Sequence, residues 1–143
     1  MNFIRIASHS EIEWVNSKYD DIGFQHADGN DLIAIAELEN NEKIALGRLV
    51  RLNKNSLELA GIYVFESYRN KGAAKNIIGF LMKHLSPNDT VYCLPFSKIK
   101  DLYKQFGFID YVVDENTPKQ ILDKCEWCEK SHNAVVDVLV FRR

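Results

Sequence analysis

The chain has 143 residues, 46% hydrophobic and 27% charged with three prolines, which suits one folded domain over 1–143 and excludes a disordered or fibrous chain. Eighteen Lys and Arg against 20 Asp and Glu leave a net charge of -2, scattered along the chain, so the basic footprint that nucleic-acid binding needs is missing. No apolar run reaches the ~18 residues of a membrane span, and the start turns polar at Ser8, His9 and Ser10, so neither a leader nor a membrane contact is expected. The cytoplasm is then the expected location, with the three cysteines reduced.

Phe3 to Ile6 reads as a short strand, and Ser10-Glu-Ile-Glu13 has the form of a capping box opening a helix with Ile12, Trp14 and Val15. Residues 19 to 31 have no clear period and two glycines, which predicts a loop, with room in it for a turn of helix. Leu32 to Leu38 and Ile44 to Leu52 are strand-like runs joined by a polar hairpin turn. After Asn53-Lys-Asn55, the nearly all-apolar run Leu57 to Val64 predicts a central strand, completing an antiparallel meander. Ala74, Ile77, Ile78, Leu81, Met82 and Leu85 then share one helical face, and Pro87 ends it.

Thr90 to Leu94 is expected as a buried strand, and Ser97 as the cap of a helix with Ile99, Leu102, Tyr103 and Phe106, stopped by Gly107. Phe108 starts another strand. Thr117-Pro118 opens a helix to about Lys130, and Ala134 to Phe141 forms the last strand. This order predicts an α/β (α+β) fold: a mixed, mostly antiparallel sheet with helices on both faces.

The most specific local feature is Tyr68-Arg-Asn-Lys-Gly-Ala-Ala74, placed between the most hydrophobic strand and the most amphipathic helix. A helix N-terminus after a glycine-bearing turn offers unpaired N–H groups and a positive dipole end, which together suit a diphosphate. Gly72 permits close backbone approach, Ala74 is small, and Arg69 and Lys71 add positive charge. The alternative is an ordinary loop end with solvated basic side chains. Neither the Walker A pattern nor the Rossmann triple glycine is present, which disfavours nucleoside triphosphates and NAD.

Arg69-Asn-Lys-Gly72-Ala-Ala74 resembles the Arg/Gln-x-x-Gly-x-Gly/Ala motif of the GNAT acetyltransferases, with Ala74 in place of the second glycine. Leu102-Tyr-Lys-Gln-Phe-Gly-Phe108 is similar to the family's Leu-Tyr-x-x-x-Gly-Phe segment. The resemblance spans about residues 32 to 113 and implies a GNAT-like fold and an acetyl-CoA co-substrate. By the same resemblance, Ile62, Tyr63 and Val64 and the backbone of Arg69, Asn70, Lys71, Gly72, Ala73, Ala74 and Lys75 bind that co-substrate, the turn holding its pyrophosphate. The implied reaction moves an acetyl group directly to a primary amine, on a small molecule or a peptide. The acceptor and the oligomeric state, a homodimer included, are left open.

An alkylamine with a pKa near 10.4 is deprotonated in only about one molecule in a few thousand at pH 7, so a general base is useful. Glu58 is the candidate, as a carboxylate in an otherwise apolar strand, and a strand glutamate at a similar distance before the motif serves as base in the histone-acetylating branch of the family. Its structural alternative is a solvent-facing position at one end of the strand, or a pair with Arg48 or Arg51 across the hairpin. Tyr103 matches the family tyrosine that protonates the departing thiolate; its alternative is a core tyrosine beside Leu102 and Phe106.

Cys125-Glu-Trp-Cys128 and His132 supply three ligands where a structural zinc takes four, so core packing is the expectation and no metal is expected. Cys93 reads as a buried, inert thiol. His26, with Tyr19, Asp20, Asp21 and Asp28, lies in the early loop, where acidic groups would attract a cationic amine or simply be solvated. A non-catalytic acyl-CoA-binding or sensor domain is the competing class, and it would need neither Glu58 nor Tyr103.

Overall fold

The computed structural model describes residues 3–132 and 136–142. Its strands are β1 (Phe3–Ile6), β2 (Leu32–Glu37), β3 (Lys43–Asn53), β4 (Ser56–Val64), β5 (Thr90–Cys93), β6 (Ile109–Asp110) and β7 (Leu139–Arg142). Its helices are α1 (Ile12–Asp21), α2 (Ala73–Met82), α3 (Lys100–Lys104) and α4 (Lys119–His132). The strands form one mixed, mostly antiparallel sheet in the order β1-β2-β3-β4-β5-β7-β6, and β4 and β5 run parallel. The chain divides into two compact units, one of residues 1–50 and 59–85, the other of residues 51–58 and 86–143.

In the first unit, β1 pairs antiparallel with β2, and β2 with β3. Successive strand residues point to opposite faces, and β3 shows where each helix lies. Leu46 joins Val15 and Tyr19 of α1 in one apolar cluster. Its neighbour Gly47 faces Ile62 of β4 and Ile77 and Leu81 of α2. A Cβ at Gly47 would stand 2.6 Å from Ile62 Cδ1 and 2.7 Å from Ile77 Cγ2, so the missing side chain is what lets α2 approach the sheet. Helices therefore cover both faces.

The second unit repeats the arrangement. Tyr92 of β5 and Val140 of β7 pack with Ile121 of α4. Phe141, the next residue of β7, turns to the other face and meets Phe108, against which the Tyr103 ring of α3 stands edge-on.

Several boundaries differ from the sequence expectation. The helix opens earlier, because the Ser8 N–H donates to Glu11 Oε1 at 2.9 Å, and Glu11 is held by the Arg5 guanidinium; Ser10 lies inside the resulting 3-10 turn. Residues 19 to 21 are helical rather than loop, since Tyr19 is a core residue of α1. Ser97 does not cap α3 but starts a 3-10 turn leading into it. The strand from Phe108 is only β6, and the last strand begins at Leu139, Val136 making an isolated bridge to Phe96; the expected start at Ala134 lies outside the described residues.

Candidate functional site

In the first unit, β4 ends at Val64 and a 3-10 turn, Glu66–Tyr68, carries the chain to the basic turn. Arg69 is recruited to the fold: its Nε donates to the Val64 carbonyl at 3.1 Å. Asn70 and Gly72 both take left-handed backbone, at φ 65° and φ 84°, and Gly72 is the N-cap of α2. The Asn76 N–H is the first to donate into the helix, to Gly72 O at 3.1 Å. The N–H groups of Asn70 through Lys75 meet no acceptor among the described residues.

No acidic residue stands in the first turn of α2, and Lys71 and Lys75 are exposed beside it. The helix dipole therefore reaches solvent uncompensated by protein carboxylates. A Cβ at Gly72 would meet nothing within 4 Å, so a side chain there would have room. Ala73 is buried, and with Ile77, Ile78, Leu81 and Met82 it anchors the helix whose N-terminus forms the site. These features fit a pyrophosphate.

Ile62, Tyr63 and Val64 are half-buried at the end of β4. Just before them the strand turns left-handed at Gly61, φ 63°, where the Tyr19 hydroxyl donates to its carbonyl at 2.8 Å. Tyr19 also lies under the Arg48 guanidinium, 4.7 Å from the ring centroid, and Asp31 approaches Arg48 Nε to 3.6 Å. Arg48 is buried, and its Nε and Nη1 have no hydrogen-bond partner among the described residues. Burial pushes the Tyr19 phenol up to about 12, with Arg48 opposing.

In the second unit, Glu58 is buried, 5% exposed, and pairs with neither Arg48 nor Arg51. Arg51 is held by Asp89 at 3.0 Å. The partner of Glu58 is Lys124, whose Nζ donates to Oε2 at 2.6 Å. The sequence reading passed over Lys124, although a signal was there: it stands three residues after Ile121 and four before Cys128, on the buried face of α4. Left-handed Asn70 and Gly61, and the contact of Tyr19 with Gly61, also escaped it.

Tyr103 is buried as well, and its hydroxyl has no hydrogen-bond partner among the described residues. Burial first, and then Cys93, push its phenol above the ordinary range. Glu58 shares the α4 face of the sheet, whereas Tyr103 packs on the other face through Phe108 and Phe141. Both are in electrostatic reach of Cys93, whose buried thiol is pushed well up, to which the Glu58 carboxylate adds. A thiol so disfavoured as thiolate is a poor nucleophile.

Cys125 and Cys128 are free thiols, and the His132 ring stands edge-on to Phe96 and Trp127. Among the described residues no group of three or more His, Cys, Asp or Glu side chains is arranged to hold a metal ion, and no helix is long and apolar enough to cross a membrane. His26 pairs with Asp20 at 2.6 Å, both exposed.

The family model for the acetyltransferase (GNAT) family matches residues 3–108. The chain belongs to that family. Its fold is shared with Rv2747 from Mycobacterium tuberculosis, solved in complex with CoA and NLQ, at 15% identity over 99% of both chains and a TM-score of 0.72. It is also shared with N-acetylglutamate synthase from Neisseria gonorrhoeae, complexed with coenzyme A and N-acetyl-glutamate, at 14% identity and a TM-score of 0.71. That similarity covers 99% of this chain and 35% of the synthase, so this GNAT chain spans about a third of it. Escherichia coli ElaA matches over 100% of both chains at 17% identity and a TM-score of 0.64. No curated protein matches the chain.

Proposed function

We propose that this GNAT protein is an acetyl-CoA-dependent N-acyltransferase that moves an acetyl group to a primary amine by direct transfer. The observation that carries the reading is the row of N–H groups from Asn70 through Lys75 at the N-terminus of α2, which meet no acceptor among the described residues. Those groups would hold the pyrophosphate, with Lys71 and Lys75 adding charge and Ile62, Tyr63 and Val64 lining the pantetheine arm. Bound acetyl-CoA supplies the thioester; this chain supplies the proton transfers around it. Glu58 takes a proton from the acceptor ammonium, directly or through one water, and Tyr103 gives one to the departing sulfur. A buried phenol that keeps its proton and has no protein partner suits the second role.

Direct transfer agrees with the chemistry of Cys93, whose raised thiol disfavours an acyl-enzyme route. The acidic early loop, with Asp20, Asp21, Asp28 and His26, suits a cationic acceptor, small molecule or peptide. A location in the cytoplasm and a homodimer are compatible with this reading.

Calorimetric titration should show acetyl-CoA binding to the wild type. Gly72→Glu should abolish it, by placing a carboxylate in front of the free N–H groups. Gly72→Ala, with the same left-handed strain at φ 84° and no charge, should weaken it less. A wild-type protein with no affinity for any CoA ester would sink the reading. The acceptor is sought by thiol release from acetyl-CoA with polyamines, aminoglycosides, amino acids and lysine peptides; binding without turnover on all of them would favour the sensor class.

A further inference from the structure

Two opposite charges are buried side by side in the second unit. The side chains of Lys124 and Glu58 are 15% and 7% exposed, and Nζ meets Oε2 at 2.6 Å. Such a pair is weak evidence for stability, because desolvating both ions offsets their attraction, and an apolar pair of similar volume often does as well. What the pair does achieve is geometric. Among the described residues Glu58 accepts a hydrogen bond from Lys124 alone, and only through Oε2. Oε1 is left without a donor among the described residues.

The other titratable groups in reach are Cys93 on β5 and Cys128 on α4. Both thiols are pushed up by burial and stay neutral near pH 7. The Lys124 ammonium is therefore the formal charge that meets the Glu58 carboxylate. Its own place is fixed by α4, which buries Ile121 and Cys128 on either side of it.

We infer that Lys124 is the positioning residue of the proton acceptor: its ammonium grips Oε2 and fixes the carboxylate in one orientation, leaving Oε1 as the oxygen that takes the proton. In that step an N–H bond of the acceptor ammonium breaks and an O–H bond forms at Oε1. The amine keeps the lone pair that attacks the thioester, and Lys124 stays protonated throughout. The inference rests on the reading of Glu58 as general base.

The test is Lys124→Met, assayed by thiol release from acetyl-CoA with the most active amine of the panel above. Turnover should fall roughly tenfold or more, with the KM for acetyl-CoA little changed. Lys124→Arg, which keeps the charge and the donors, should restore most of the turnover. In a Glu58→Gln background Lys124→Met should add little, since a positioning residue has nothing left to position.

A purely structural Lys124 predicts a lower melting temperature with kcat unmoved where the variant is folded, and that result overturns the inference. If the Met variant does not fold, Lys124→Gln, which keeps an N–H donor and removes only the charge, is read in the same two ways. The outcomes separate the two claims. Wild-type turnover in Glu58→Gln removes the general base itself. A slow Glu58→Gln beside an unaffected Lys124→Met removes only the positioning role.

Discussion

The Tyr19 hydroxyl donates to the carbonyl of Gly61 at 2.8 Å, across 42 residues of sequence. The contact ties α1 to the point where β4 turns left-handed, three residues before the strand ends. Gly61 has no room for a side chain there: a Cβ would lie 2.3 Å from the Tyr19 oxygen. The two residues thus specify each other, and the end of β4 that leads to the basic turn depends on both.

Tyr19→Phe should therefore destabilise the protein by about 1 kcal/mol, the usual worth of a part-buried hydrogen bond. The gap should depend on pH. The folded phenol is raised to about 12 against roughly 10 when unfolded, so its contribution is complete below pH 10 and is lost as pH rises towards 12. Wild-type stability should fall more steeply than that of Tyr19→Phe over this window, narrowing the difference. Chemical denaturation at pH 8 and at pH 11 measures it, and a constant gap would contradict the buried, raised phenol.

At the opposite end of the pH scale the group to watch is Glu11. The Arg5 guanidinium, donating to its carboxylate at 2.7 and 2.8 Å, is the largest cause that lowers Glu11 to about 2. Burial opposes, and the Ser8 N–H and hydroxyl assist. A lowered carboxyl stabilises above its unfolded value of about 4.3 and loses that contribution as pH falls through about 2. Arg5 is 40% exposed, which screens the pair, so Glu11→Gln should cost no more than about 1 kcal/mol at pH 6. Thermal melts should show that cost shrinking below pH 4 and gone near pH 2.

The same two contacts show what a sequence can and cannot display. Element order was readable because its signals are local: Ile77, Ile78, Leu81 and Met82 repeat at helical spacing, and Gly72 stands just ahead of them. Ser8-His-Ser-Glu11 and Ser10-Glu-Ile-Glu13 are both capping-box patterns one turn from α1. The choice between them falls to Arg5, which draws in Glu11 and also bonds Glu37 on β2. Tyr19 falls at the start of a stretch without a clear period that holds two glycines, yet its ring is in the core. Lys124 is 66 residues from Glu58, and no local pattern pairs them. Ion pairs and hydroxyl contacts are set by tertiary approach, so they were legible as candidates but not as partners.

Tyr103 offers the sharpest separation between a structural and a catalytic role. Its ring is fixed edge-on to Phe108 with centroids 6.1 Å apart, and phenylalanine would keep that packing. Its hydroxyl, by contrast, makes no hydrogen bond to any described residue, so removing it breaks nothing within the chain. No hydrogen bond to a described residue is lost, so Tyr103→Phe should leave the melting temperature little changed. Turnover should behave differently, falling about tenfold or more, because the proton is needed only as negative charge develops on the departing sulfur. Acetyl-CoA affinity by calorimetry should change little, since the pyrophosphate contacts proposed above lie on the N–H groups after Arg69. If Tyr103 only packs, neither stability nor turnover will drop, and an unchanged kcat with a responsive amine would take the phenol out of the mechanism. A fall in kcat with stability preserved would leave proton donation as its role.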